Sequence, residues 1–134
     1  MTIYQGNCLR VDLTNHTIKR GNTPANGIGA RSWNSVTLLD EIPAGADPLG
    51  PDNVLGLVSG LLTGTPSLFT GRWMAVGKSP LTGGWGDANC GGNFSPAIKR
   101  CGFDAILFHG LSSRPVYLLA DGNRAELRTA DDLW

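Results

Sequence analysis

The sequence predicts an α+β fold dominated by strands. Three observations point there. Polar and apolar residues alternate with period two near the start, glycine reaches 19 of 134 residues, and strand-like runs follow one another without regular strand–helix alternation.

The elements follow in order. Over residues 3–13, Cys8, Arg10 and Asp12 fall on one face and Leu9, Val11 and Leu13 on the other, with Arg10 and Asp12 on the wet side. Asn15-His16 predicts a turn, and residues 17–20 return as the second strand of a hairpin. Residues 21–27 carry loop signals throughout. Residues 30–41 space Trp33, Val36 and Leu39 in a way that predicts a helix, although the β-branched residues and serines weaken it. Three prolines and two glycines make residues 42–53 a connector, and residues 54–58 suit a buried strand.

Further strands are predicted over residues 72–77 and 104–109, a long glycine-rich loop over 81–89, and a short helix over 94–101. Asp121-Gly122-Asn123 predicts the turn of a hairpin between residues 115–120 and 124–128. Asp131 and Asp132 suit the start of a helix that residue 134 cuts short, which predicts a fragment of something longer.

Composition narrows function. Lys plus Arg and Asp plus Glu are 11 each, giving no net charge, which argues against nucleic acid and anionic membranes as partners. No apolar run approaches the roughly 20 residues of a membrane span, and the first residues lack the pattern of a signal peptide. A cytoplasmic location is expected. Cys8, Cys90 and Cys101 are scattered and lack zinc or redox spacing. Charged residues make up 16% against about 25% for an ordinary soluble domain, so part of the surface is expected to be covered.

Several sites can be rejected. Residues 71–79 approach a phosphate-binding P-loop, yet five bulky residues separate Gly71 and Gly77 where four are needed, and Pro80 follows Ser79. His16 and His109 have no G-x-S-x-G elbow to serve. What remains is residues 82–92, glycine-rich and free of β-branched residues after Thr82. Such a backbone admits close approach by a ligand, and the Gly91-Gly92 pair leads into a helix whose first N–H groups favour an anion. Arg72 and Lys78 on the preceding segment could add charge. The ligand expected near 82–93 is anionic and phosphorylated.

At these same residues the sequence resembles the tungsten-dependent aldehyde ferredoxin oxidoreductases, in their N-terminal domain. Asn7-Cys8-Leu9-Arg10-Val11-Asp12-Leu13-Thr14 is similar to the family's opening strand, Ile28-Gly29-Ala30-Arg31 to its I-G-G-R segment, and Asp47-Pro48-Leu49-Gly50-Pro51-Asp52-Asn53 to its connector. Lys78-Ser79-Pro80-Leu81-Thr82-Gly83 followed by Asn89-Cys90-Gly91-Gly92 is the most specific part.

The resemblance implies a two-sheet base with short helices, one N-terminal pterin-cofactor-binding domain over residues 1–134, incomplete relative to the family. It implies a tungsten (or molybdenum) bis-pyranopterin whose phosphates are bridged by magnesium. By motif, Arg72 and Gly91 are cofactor contacts, and Asn89 holds magnesium through its backbone carbonyl. No catalytic residue and no iron–sulfur cluster are expected on this chain. The cluster, the acid–base residues and a second pterin segment belong to the remaining domains or a catalytic subunit, which would pass electrons to ferredoxin.

There are departures. The chain is shorter than the family between residues 20 and 28, Ala30, Ser32 and Asn34 stand where glycines are preferred, and Cys90 replaces a usual serine. The function implied is the cofactor base of an enzyme oxidising aldehydes to acids. Two alternatives stay open: a self-associating pterin-binding or carrier module without redox activity, whose partner is a homodimer mate, and a ligand-free relic.

Overall fold

The computed structural model describes residues 6–22, 40–122 and 124–133. Its strands are β1 (Asn7–Asp12), β2 (Thr17–Asn22), β3 (Val54–Ser59), β4 (Trp73–Lys78), β5 (Trp85–Cys90), β6 (Ala105–His109), β7 (Val116–Asp121) and β8 (Arg124–Thr129). One helix, α1 (Phe94–Arg100), lies between β5 and β6. A six-stranded sheet runs in the order β2-β1-β6-β3-β4-β5, and β7-β8 form a separate hairpin. Among the described residues only β1 and β6 pair in parallel. The strand-dominated α+β prediction holds, with two sheets.

Side chains alternate across a sheet, so register decides which residues share a face. On one face Cys8 stands beside Ala105, Arg10 beside Leu107, and Gly56 between Leu107 and Val76. Cys8, Val54, Val58, Met74, Val76, Ala105 and Leu107 form a buried cluster there, against which Ile42 packs. On the other face Leu9, Val11 and Ile106 meet Ile98 of α1 and Phe103. The hairpin lays Leu118, Ala125 and Leu127 against this second cluster.

The sheet is therefore buried on both sides of β1. The expectation of a wet face at Arg10 and Asp12 is corrected on that ground. Cys8 is fully buried, and Arg10 is half-buried against Glu41, which immediately precedes the connector. Asp12 stays at the strand end and accepts hydrogen bonds from the Asn15 N–H and Nδ2 at 2.9 and 2.8 Å, which closes the β1–β2 turn.

Two further expectations change. Residues 21 and 22 belong to β2 rather than to a loop, because Cys8 and Asn7 offer them partners. Residues 85–90, expected within a loop, form β5, paired from Trp73↔Cys90 to Lys78↔Trp85. Gly, Asp, Ala and Asn are poor strand formers, but the open edge of β4 supplies a ladder that overrides propensity. The helix predicted over 30–41 lies, for residues 30–39, outside the described residues.

α1 ends where its sequence says it should. Gly102 takes φ +84°, its N–H bonds the Lys99 carbonyl at 3.0 Å, and the Phe103 N–H bonds that of Ile98 at 3.3 Å. This is a Schellman stop, with Phe103 and Ile98 in the same apolar cluster. Just beyond it, buried Lys99 and Asp104 form an ion pair that holds the helix end to the start of β6. No helix among the described residues is long and apolar enough to cross a membrane.

Candidate functional site

The residues expected to hold a ligand separate into two places. Arg72 precedes β4, while Asn89 is the last residue but one of β5 and Gly91 follows the strand, so the antiparallel β4–β5 ladder brings all three to one end of the sheet. Lys78 stands at the opposite end of β4, six residues and about 20 Å of strand away. Its ammonium is engaged by the Ala46 carbonyl. Lys78, Trp85, Gly83, Gly84, Pro43 and Gly45 line an open pocket of about 330 Å³ there. The expected partnership of Arg72 and Lys78 is thus corrected.

At the Arg72 end the geometry is specific. Arg72 Nε donates to Asn89 Oδ1 at 2.6 Å, and Nη2 reaches the Asn89 backbone oxygen at 3.4 Å. Among the described residues these two bonds leave Nη1 unused, beside Gly91, where an added Cβ would lie 3.9 Å away. Arg72, Asn89 and Gly91 are all exposed. The guanidinium is thus held in a fixed plane by one edge while the other faces outward, the posture of an arginine that binds an anion in a set direction.

The local sequence explains the shape. Gly71 has φ +106° and Gly92 φ +92°, conformations that L side chains rarely adopt, and they flank the two banks of the site. Gly91 itself has room for a Cβ, so its use is the bare backbone it presents rather than an unusual angle. Trp73 and Phe94 meet edge to face, ring centres 4.8 Å apart, and join the start of β4 to the start of α1. Asn93 precedes that helix without a side-chain cap.

A second polar cluster, not predicted, lies at the β1–β6 end of the sheet. Arg10 donates from Nη1 and Nη2 to Glu41 at 3.0 and 2.7 Å. His109 Nε2 lies 3.7 Å from Glu41 Oε2 and has no hydrogen-bond partner among the described residues. Burial pushes the imidazole below its ordinary range, partly opposed by the Glu41 carboxylate. The sequence signal was faint: Glu41 stands 31 residues from Arg10. Cys8 next to it is pushed up by burial. No group of three or more His, Cys, Asp or Glu suited to a metal gathers among the described residues.

With this geometry in hand, the likeness to known proteins is informative. The family model for the N-terminal domain of aldehyde ferredoxin oxidoreductase matches residues 8–134. The chain is 39% identical over 98% of its length to a tungsten-containing aldehyde ferredoxin oxidoreductase of Pyrococcus abyssi, and 41% identical over 96% to one of Thermococcus kodakarensis. It is 30% identical over its whole length to the WOR-like subunit of an aliphatic sulfonate oxidoreductase of Pyrococcus furiosus. It spans only 22% of each of these relatives. Among solved structures it superposes, with TM-score 0.95 and 33% identity, on the active-site complex BamBC of benzoyl coenzyme A reductase, covering 98% of this chain and 21% of that one.

Proposed function

Because the chain belongs to the aldehyde ferredoxin oxidoreductase family, as its N-terminal domain, we propose that it is the cofactor-holding base of a tungsten oxidoreductase. The observation that carries this reading is the Arg72 guanidinium, braced by Asn89 and turned outward over the bare backbone of Gly91. Relatives named for aldehyde, aliphatic sulfonate and benzoyl coenzyme A chemistry share this segment. A part common to different substrates suits the holding of a common cofactor better than the choosing of a substrate.

The residues present suit the holding of a tungsten bis-pyranopterin and magnesium. Arg72 offers directed N–H donors to a phosphate. Gly91 admits the ligand to the main chain. The Asn89 backbone carbonyl is a hard oxygen of the kind magnesium takes. The bound group would supply the redox chemistry, moving electrons between substrate and an iron–sulfur cluster in the rest of the enzyme. This chain's residues bind and orient it: Arg72 neutralises phosphate charge, and Asn89 fixes the angle at which Arg72 does so. The remaining domains, or a catalytic partner subunit, would carry the acid–base residues and the route to ferredoxin.

Native mass spectrometry of the chain purified from its own host tests this. A mass carrying tungsten or molybdenum with pterin is expected, and Arg72→Ala should lose most of it. A bare wild-type chain would overturn the proposal, and the stoichiometry distinguishes a larger partner from a second copy.

A further inference from the structure

The hold on Arg72 extends beyond Asn89 to a buried hydroxyl that no motif singles out. Ser95, the second residue of α1, is fully buried. Its Oγ lies 2.7 Å from Ser59 Oγ, 3.0 Å from Thr63 Oγ1 and 3.1 Å from the Arg72 backbone oxygen. Ser59 and Thr63 are buried as well, at 4% and 3% exposure.

Proton counting orders this cluster. A carbonyl only accepts, so Ser95 is the donor to the Arg72 oxygen, and the same hydroxyl is also aimed at Thr63 Oγ1. Ser59 can then donate into a lone pair of Ser95 Oγ. Each buried hydroxyl oxygen of the cluster thus has a partner, and unsatisfied buried hydroxyls are costly. The Gly60 N–H bonds the same Arg72 oxygen at 2.9 Å, so both of its lone pairs are taken. The peptide plane after Arg72 is thereby fixed from two sides.

That fixing is needed because of what precedes it. Gly71, at φ +106°, has no side chain to limit its backbone, and alone it would leave the direction of Arg72 loose. Apolar side chains of similar size could join α1 to the sheet without burying three hydroxyls. What the hydroxyls add is a directional grip on one carbonyl. We propose that Ser95 is a positioning residue: by holding the Arg72 carbonyl it sets the guanidinium against Asn89 and toward the ligand. The proposal rests on the reading of Arg72 as a cofactor contact.

The test uses the full chain with 15N-labelled arginine, reading hydrogen exchange at Arg72 Nε, and titration with inorganic pyrophosphate. Ser95→Ala should speed Nε exchange about tenfold and weaken pyrophosphate binding about 3- to 10-fold, as expected for loss of a buried hydrogen bond. Ser59→Ala removes a hydroxyl from the same cluster but spares the bond to Arg72, so both readings should move less than about twofold. Should Ser95→Ala not fold, Ser95→Cys keeps the shape with a weaker donor, and an about threefold rise in exchange is expected. Wild-type exchange in the folded Ser95 variant overturns the proposal, as do equal effects from Ser59→Ala. Failure of Arg72→Ala to weaken pyrophosphate binding would instead sink the cofactor reading, while the exchange measurement still judges Ser95.

Discussion

Arg10 on β1 grips Glu41, the residue before the connector, through both terminal nitrogens of its guanidinium, at 3.0 and 2.7 Å. The pair pins the segment before β3 onto the face of the sheet that carries Cys8 and Leu107. Glu41→Ala should therefore destabilise the chain by about 1–2 kcal/mol, below a fully buried pair because both side chains keep some exposure. Urea denaturation measures it. Arg10→Lys should recover little of the bidentate geometry, and a wild-type midpoint for Glu41→Ala would contradict the pinning role.

Lys99 and Asp104 form a pair with side chains only 4% and 5% exposed. Lys99→Met removes the cation and leaves a buried carboxylate short of its partner, which should cost about 3–5 kcal/mol. Asp104 Oδ2 also accepts from the Asn7 N–H at 3.2 Å, so the strain should reach the start of β1. Hydrogen exchange of the Asn7 amide, compared with that of β4 amides, reads this local component.

Burial depresses the His109 pKa in the folded chain, whereas the unfolded imidazole titrates near its ordinary value of about 6.5. Below that value the unfolded state binds the extra proton first. Stability should therefore fall as pH drops from about 7 toward the lower folded pKa. Glu41, Arg10 and Asp12 are the charged neighbours that modulate it. Denaturation at pH 7.5 and 5.5 should show a larger loss for the wild type than for His109→Gln. Equal losses would mean that His109 is as easily protonated folded as unfolded.

Cys8 is fully buried and its thiol is pushed up by burial, whereas Cys90 and Cys101 are half-buried. A thiol reagent should thus modify Cys90 and Cys101 in the native chain and reach Cys8 only at the rate of unfolding. Mass mapping of labelled peptides over time checks the order. Early labelling of Cys8 would mean that the face packed by Ile42 opens without unfolding.

Much of the fold could be read locally. The alternation around Leu9 and Val11, the apolar run at β3, the Asp121-Gly122 turn and the short helix before Gly102 are each set by neighbours within a few residues. β5 was hidden because its residues form a strand only against the waiting edge of β4. Arg72, Asn89 and Gly91 could be picked out as candidate ligand contacts by resemblance, but their mutual arrangement was not legible: Asn89 lies 17 positions from Arg72. Ser95 carried no signal at all, since a serine in the first turn of a helix is ordinary.

By itself, then, the sequence determined the strand-rich class, the family, and a chain without net charge. Only the tertiary structure decided that Arg72 and Lys78 stand at opposite ends of β4, that the Arg10 face is covered, and that Ser95 grips the Arg72 carbonyl. The reason is physical. Alternation tells which side chains share a face, but what covers that face comes from segments tens of residues away. A hydrogen bond's partner is likewise fixed by register and packing, which no local pattern encodes.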